Sequence, residues 1–180
     1  MEDDALIERI RSGDKAAAEE LIRRYYTSIL RYCKWHCADI QKAEDLTQET
    51  FLKLFNALSG RGSTTGYNNA AGGSGKGKFK AYLYTIANHL CIDESRKKPL
   101  YLLEDEENLV SSCNEIHQAE NREEIKYLLD ALSPEQKEAV ILRFGEQLEF
   151  REIAEVTGCN MRTAQSRVRS ALKIMRKLRS

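Results

Sequence analysis

Apolar positions along this chain recur at intervals of three and four residues, and stretches that alternate every second residue are nearly absent. That spacing belongs to helices with one buried face, so the pattern predicts an all-α protein. Asp3 or Asp4 is placed to cap a short first helix, which Gly13 ends. Asp14 then opens a longer helix through Cys37, with Leu21, Ile22, Tyr25, Ile29, Leu30 and Cys33 along its apolar stripe. A third helix is expected over 41–58, with Thr47, Phe51, Leu54, Phe55 and Leu58 on its inner face. A fourth is expected over 78–97. Its Phe79, Tyr82, Leu83, Ile86, Ala87 and Leu90 follow the helical repeat, and Pro99 stops it.

Two interruptions divide the chain. Residues 59–78 mix seven glycines with Ser, Thr and Asn, the composition of a flexible loop. Residues 98–120 are weakly periodic and contain the charge run Glu104, Asp105, Glu106 and Glu107. The expected organisation is two small helical domains, 1–97 and 121–180, joined by a flexible linker over 98–120. In the second domain Ser133-Pro134-Glu135-Gln136 is a capping box with proline at the first helical position, and Gly145 ends that helix. Helices over 150–157 and 161–178 follow, and their junction has the form of a helix-turn-helix. Small Ala154 allows close crossing beside inward Ile153, and Gly158 tolerates the positive φ of a tight turn. Met161, Ala164, Val168, Leu172 and Met175 form the expected buried stripe of the last helix. Arg162, Gln165, Ser166 and Arg169 are then left facing outward, where Arg and Gln read base edges and Arg and Ser hold phosphates. A helical hairpin with a polar outer face is the plainer alternative.

Charge refines this picture. The chain carries 28 basic and 28 acidic residues, so net charge points to no partner. Its distribution is uneven: 15 basic and 13 acidic residues over 1–97, 1 and 6 over 98–120, and 12 and 9 over 121–180. From Asn160 to Ser180 there are seven Lys or Arg and no acid, which is either a solvated face or a footprint for phosphate. The five cysteines, Cys33, Cys37, Cys91, Cys113 and Cys159, are odd in number and match no disulfide framework. Cys33, His36 and Cys37 resemble part of a metal site, but no second ligand cluster follows, so small buried thiols are expected and no metal or cofactor. No apolar run approaches the roughly 20 residues that span a bilayer, and the first residues are acidic rather than signal-like. A cytoplasmic, reduced protein with no membrane insertion is expected.

The strings AEDLTQETFLKLF (43–55) and KFKAYLYTIANHLCIDESRK (78–97), followed by the helix-turn-helix, resemble the extracytoplasmic-function sigma factors. The resemblance covers nearly the whole chain outside the glycine-rich loop and the linker. It implies a non-enzymatic subunit that binds core RNA polymerase, recognises and opens promoter DNA, and is held in check by an anti-sigma factor. In the first string Asp45, Gln48, Glu49 and Leu52 lie at i, i+3, i+4 and i+7, an acidic stripe with an exposed leucine. Such a face suits protein better than DNA, and the resemblance implies that it docks on core polymerase. In the second string Tyr84 and Asn88 are expected opposite the apolar stripe, with Arg96 nearby and Lys80 at its edge. These groups suit stacking, base-edge bonding and phosphate contact at the upstream melting element. Tyr82 is expected in the core. The resemblance also implies that Arg162, Thr163, Gln165, Ser166 and Arg169 contact the distal duplex element. The loop before Lys78 is longer than the family pattern, and Gln165 stands where a basic residue is common.

Two other classes stand against this. An enzyme would need a phosphate loop, a metal set or a nucleophile with its base, and none of these patterns occurs; no small-molecule substrate is implied. A conventional helix-turn-helix regulator would use 121–180 on DNA without polymerase and 1–97 for sensing or dimerisation. Co-purification with core polymerase separates it from a sigma factor.

Overall fold

The computed structural model describes residues 2–60, 78–97 and 116–180, and among these all regular structure is helical. The chain divides into two compact units, Met1–Leu109 and Val110–Ser180. The expected glycine-rich loop and most of the expected linker lie outside the described residues. A helix already begins at Ile116, inside the segment read as linker.

The first unit contains α1 (Asp3–Arg11), α2 (Lys15–His36), α3 (Ile40–Leu58) and α4 (Lys78–Lys97). Their ends follow local chemistry. Gly13 takes a φ of 89°, reversing the chain after α1. The Asp14 carboxylate accepts from the Ala16 and Ala17 amides at 2.9 and 3.3 Å, and Asp39 accepts from Gln41 at 2.9 Å, so α2 and α3 both start on a capping aspartate. α1 is tied to α2 through Asp3, which accepts from Arg24 at 2.6 Å and from the Tyr25 hydroxyl at 2.5 Å. The helices close over Leu6, Leu21, Ile29, Tyr32, Leu54, Leu83 and Tyr84, all fully buried. Burying each such aliphatic side chain contributes about 1.5–3 kcal/mol. Thr47 and Thr50 are buried too, their hydroxyls donating to the Ala43 and Leu46 carbonyls at 2.7 Å, so neither leaves an orphan polar atom.

α4 packs differently from its expected stripe. Tyr84, Asn88 and Cys91 join Phe79, Leu83, Ala87 and Leu90 in the interior, while Tyr82 and Ile86 are only partly covered. The cause lies on α2. Tyr32 is fully buried, its ring meets Tyr84 edge-on at 5.4 Å, and its hydroxyl accepts from the Asn88 amide at 2.9 Å. Tyr25 meets Phe79 edge-on at 5.5 Å, and the Cys33 and Cys91 sulfurs stand 4.0 Å apart. The Lys42–Glu94 ion pair at 2.6 Å joins α3 to α4.

The second unit contains α5 (Ile116–Asp130), α6 (Pro134–Val140), α7 (Phe150–Thr157) and α8 (Met161–Arg179). The Ser133 capping box is formed, with hydrogen bonds of 3.1 and 3.3 Å to and from Gln136. α6 runs directly into a π-helical turn, Ile141–Gly145, where the expected helix ends. Gly158 sits in the α7–α8 turn at φ 65°, and Asn160 accepts from Thr163 at 2.8 Å to start α8. Ile153, Ala154 and Val156 on α7 pack with Ala164, Val168 and Ala171 on α8, and α8 also packs on α6. The small residues let the helix axes approach closely, which is the helix-turn-helix arrangement. The buried stripe of α8 is narrower than expected. Leu172 and Met175 are partly exposed, and Met161, at the first residue of the helix ahead of the turn seated by Ala164, is 51% exposed.

Candidate nucleic-acid and protein interfaces

On α3 the structure brings Asp45, Gln48, Glu49 and Leu52 to one exposed face, opposite Thr47, Phe51 and Leu54. Leu52 is 61% exposed, a large apolar side chain displayed amid carboxylates. Glu49 pairs loosely with Lys53 at 3.7 Å, and Gln41 donates to Asp45 at 3.5 Å, so both acids remain at the surface. A stripe of this kind repels phosphate and suits a protein surface carrying basic groups around an apolar seat.

α4 requires a correction. Tyr84 and Asn88 are buried and engaged with Tyr32, so neither presents a face to DNA. Lys80 is partly exposed and Arg96 exposed, the latter within 4.0 Å of Asp93. The outward side instead carries Tyr82, Thr85, Ile86, His89, Asp93 and Arg96, which recur at helical intervals. Tyr82 is therefore the aromatic on this surface. Its spacing from Leu83 and Ile86 fitted the apolar stripe just as well, and the hidden partner of Asn88 lies 56 positions away.

On α8, Arg162, Ser166 and Arg169 are exposed, and Thr163 and Gln165 are partly so. Beside Thr163 and Ser166 a polar cleft of about 390 Å³ runs to Ser133, Gln136 and Arg167. Glu135 also lines it, its carboxyl held below the usual range by its own backbone N–H, the Ser133 hydroxyl and nearby Arg167. The Arg143 guanidinium donates to the Leu148 carbonyl at 2.8 Å and lies 4.7 Å from the centre of the Phe150 ring, bracing the approach to α7. Cys33, Cys37 and Cys91 are buried free thiols, and among the described residues no cluster of His, Cys, Asp and Glu is arranged to hold a metal. No helix among them is long and apolar enough to cross a membrane.

Two helical units, one bearing an exposed acidic stripe and the other a helix-turn-helix, have the form of a DNA-binding protein. Comparison with known proteins agrees. Residues 21–68 match the family described as Sigma-70 region 2, and residues 122–175 match Sigma-70, region 4. The chain is 30% identical over 183 residues to the RNA polymerase sigma-H factor of Pseudomonas aeruginosa, covering 93% of this chain and 88% of that one. It is 28% identical over 166 residues to the RNA polymerase sigma factor YlaC of Bacillus subtilis, covering 86% and 89%. Among solved structures, the sigma factor RpoE in complex with the anti-sigma factor NepR from Bartonella quintana shares the fold, with a TM-score of 0.64, 22% identity, and coverage of 89% of this chain and 94% of that one. The chain belongs to the sigma-70 family and is an alternative sigma factor of the extracytoplasmic-function type, directing transcription initiation as a subunit of RNA polymerase. That family is a non-catalytic polymerase subunit.

Proposed function

We propose that the two units divide the work of a sigma factor between three surfaces. The α3 stripe of Asp45, Gln48, Glu49 and Leu52 docks on core polymerase. The outward side of α4, with Lys80, Tyr82 and Arg96, meets the melted strand, where an aromatic ring and cations suit stacked bases and phosphates. Arg162, Thr163, Gln165, Ser166 and Arg169 on α8 contact the distal duplex element. The protein works by binding in the cytoplasm, without catalysis of its own, and an anti-sigma factor of the kind seen with RpoE is its second protein partner.

The observation that carries this assignment is Leu52, 61% exposed and flanked by Asp45, Gln48 and Glu49 on a helix that already buries its other face. Leu52→Asp, or Asp45→Arg with Glu49→Arg, should leave helicity and Tm nearly intact and abolish co-purification with core polymerase. Wild-type association by these variants removes α3 from the interface.

A further inference from the structure

On α8 two large apolar residues are exposed, Leu178 near its end and, more so, Met161. Met161 stands at the first position of the helix, 51% exposed, where the sequence periodicity would bury it. Single exposed apolar residues are ordinary on protein surfaces. This one, however, begins a row. Met161, Gln165 and Arg169 follow one another at four-residue steps, and neither Gln165 nor Arg169 is buried. Eight residues of helix rise about 12 Å. That is the length of three to four base pairs at about 3.4 Å each. The N-terminal residues of a helix in the major groove are the ones that meet base edges. At a base edge the one apolar feature is the 5-methyl group of thymine.

We infer that Met161 is a specificity-determining residue whose thioether side chain packs on the 5-methyl of a thymine at one end of the α8 footprint. This rests on the assignment of α8 to the distal duplex element. The flexible, polarisable side chain of methionine adapts to a methyl of uncertain orientation better than a branched one. Gln165 then faces the middle of the row, and Arg169 its other end. Covering the methyl removes both apolar groups from water, worth about a fourfold preference for a contact the size of one buried methylene.

Deoxyuridine lacks only that methyl and so tests the contact directly. Holoenzymes carrying wild-type, Met161→Ala, Met161→Leu or Arg169→Ala chains are compared on a promoter that the wild-type holoenzyme protects in footprinting. Each thymine of its distal element is replaced in turn by deoxyuridine. One replacement should weaken wild-type and Met161→Leu binding about fourfold and leave Met161→Ala binding unchanged. That thymine should lie about three to four base pairs from the pair whose preference relaxes in Arg169→Ala. If Arg169→Ala relaxes a preference while no thymine responds, or the same thymine responds equally in Met161→Ala, the methyl contact is wrong and the α8 assignment stands. If Arg169→Ala alters no base preference at all, both fall together.

Discussion

Asn88 and Tyr32 show how a single polar contact decides which side of a helix is inside. An asparagine at 6% exposure needs a partner, and the hydroxyl of a fully buried tyrosine on α2 supplies one at 2.9 Å. Removing either group costs the other a buried hydrogen bond. Asn88→Ala should therefore destabilise the protein by about 1–3 kcal/mol, measured by denaturant unfolding. Promoter opening by the variant should fail only as far as folding does, whereas a DNA-contacting residue would affect opening at unchanged stability. Read along the chain alone, Tyr82 and Ile86 match the helical stripe as well as Tyr84 and Asn88 do. What separates them is a side chain on another helix, which no local pattern contains. Met161 escaped for a related reason: periodicity assigns a face, but not whether anything lies beneath the first turn. Gly158 was legible, because a φ of 65° in a tight turn restricts the choice of residue strongly.

At the scale of helices, several starts follow capping chemistry that needs only neighbours in sequence, although α1 does not: Asp3 and Asp4 lie inside its first turn and Glu2 before it makes no side-chain cap. Asp14, Asp39, Ser133 and Asn160 all accept backbone N–H groups at the starts where they stand. The beginning of α5 at Ile116 was not legible, since its weakly periodic, acidic surroundings read as linker. The α3 stripe was, because four exposed positions at i, i+3, i+4 and i+7 sit against a well-defined core face. One cap also titrates. The Arg9 side chain, bonded to Asp14 at 2.8 Å, together with the Ala17 and Ala16 amides, holds the Asp14 carboxyl below its ordinary value. A carboxyl lowered on folding stabilises the fold above its unfolded pKa of about 3.9, and that contribution is lost as pH falls through the folded value. The Tm gap between wild type and Asp14→Ala should thus be full at pH 7 and shrink below about pH 4. A gap independent of pH would show that the charge on Asp14 is immaterial.

Across the whole molecule, the proposed division of labour assigns duplex and melted DNA to different compact units of one polymerase subunit. If α8 reads duplex and the outer side of α4 meets melted strand, their variants should fail at different steps. Arg169→Ala holoenzyme should lose protection of the distal element in footprinting and melt whatever promoter it still binds. Tyr82→Ala and Arg96→Ala should keep that protection and lose permanganate reactivity of the opened bases. Failure of all three at the same step would dissolve the division. The order of the units was legible because each carries its own sequence signature, while the packing of α4 had to come from three dimensions. The π-helical turn at Ile141–Gly145 bears on how such a chain tolerates change in length. The turn stores one more residue than an α-helical turn would, and its closing bond runs from the Glu146 amide to the Ile141 carbonyl at 3.1 Å. Deleting that residue would restore ordinary winding and swing everything after it by about 100° around the axis, one residue's share of a 3.6-residue turn. Arg143 would no longer meet Leu148 and Phe150, and α7 would leave in a new direction. Insertions and deletions that a surface loop absorbs would here redirect the DNA-reading pair of helices, making this turn a point where descent can vary the letters but not their number.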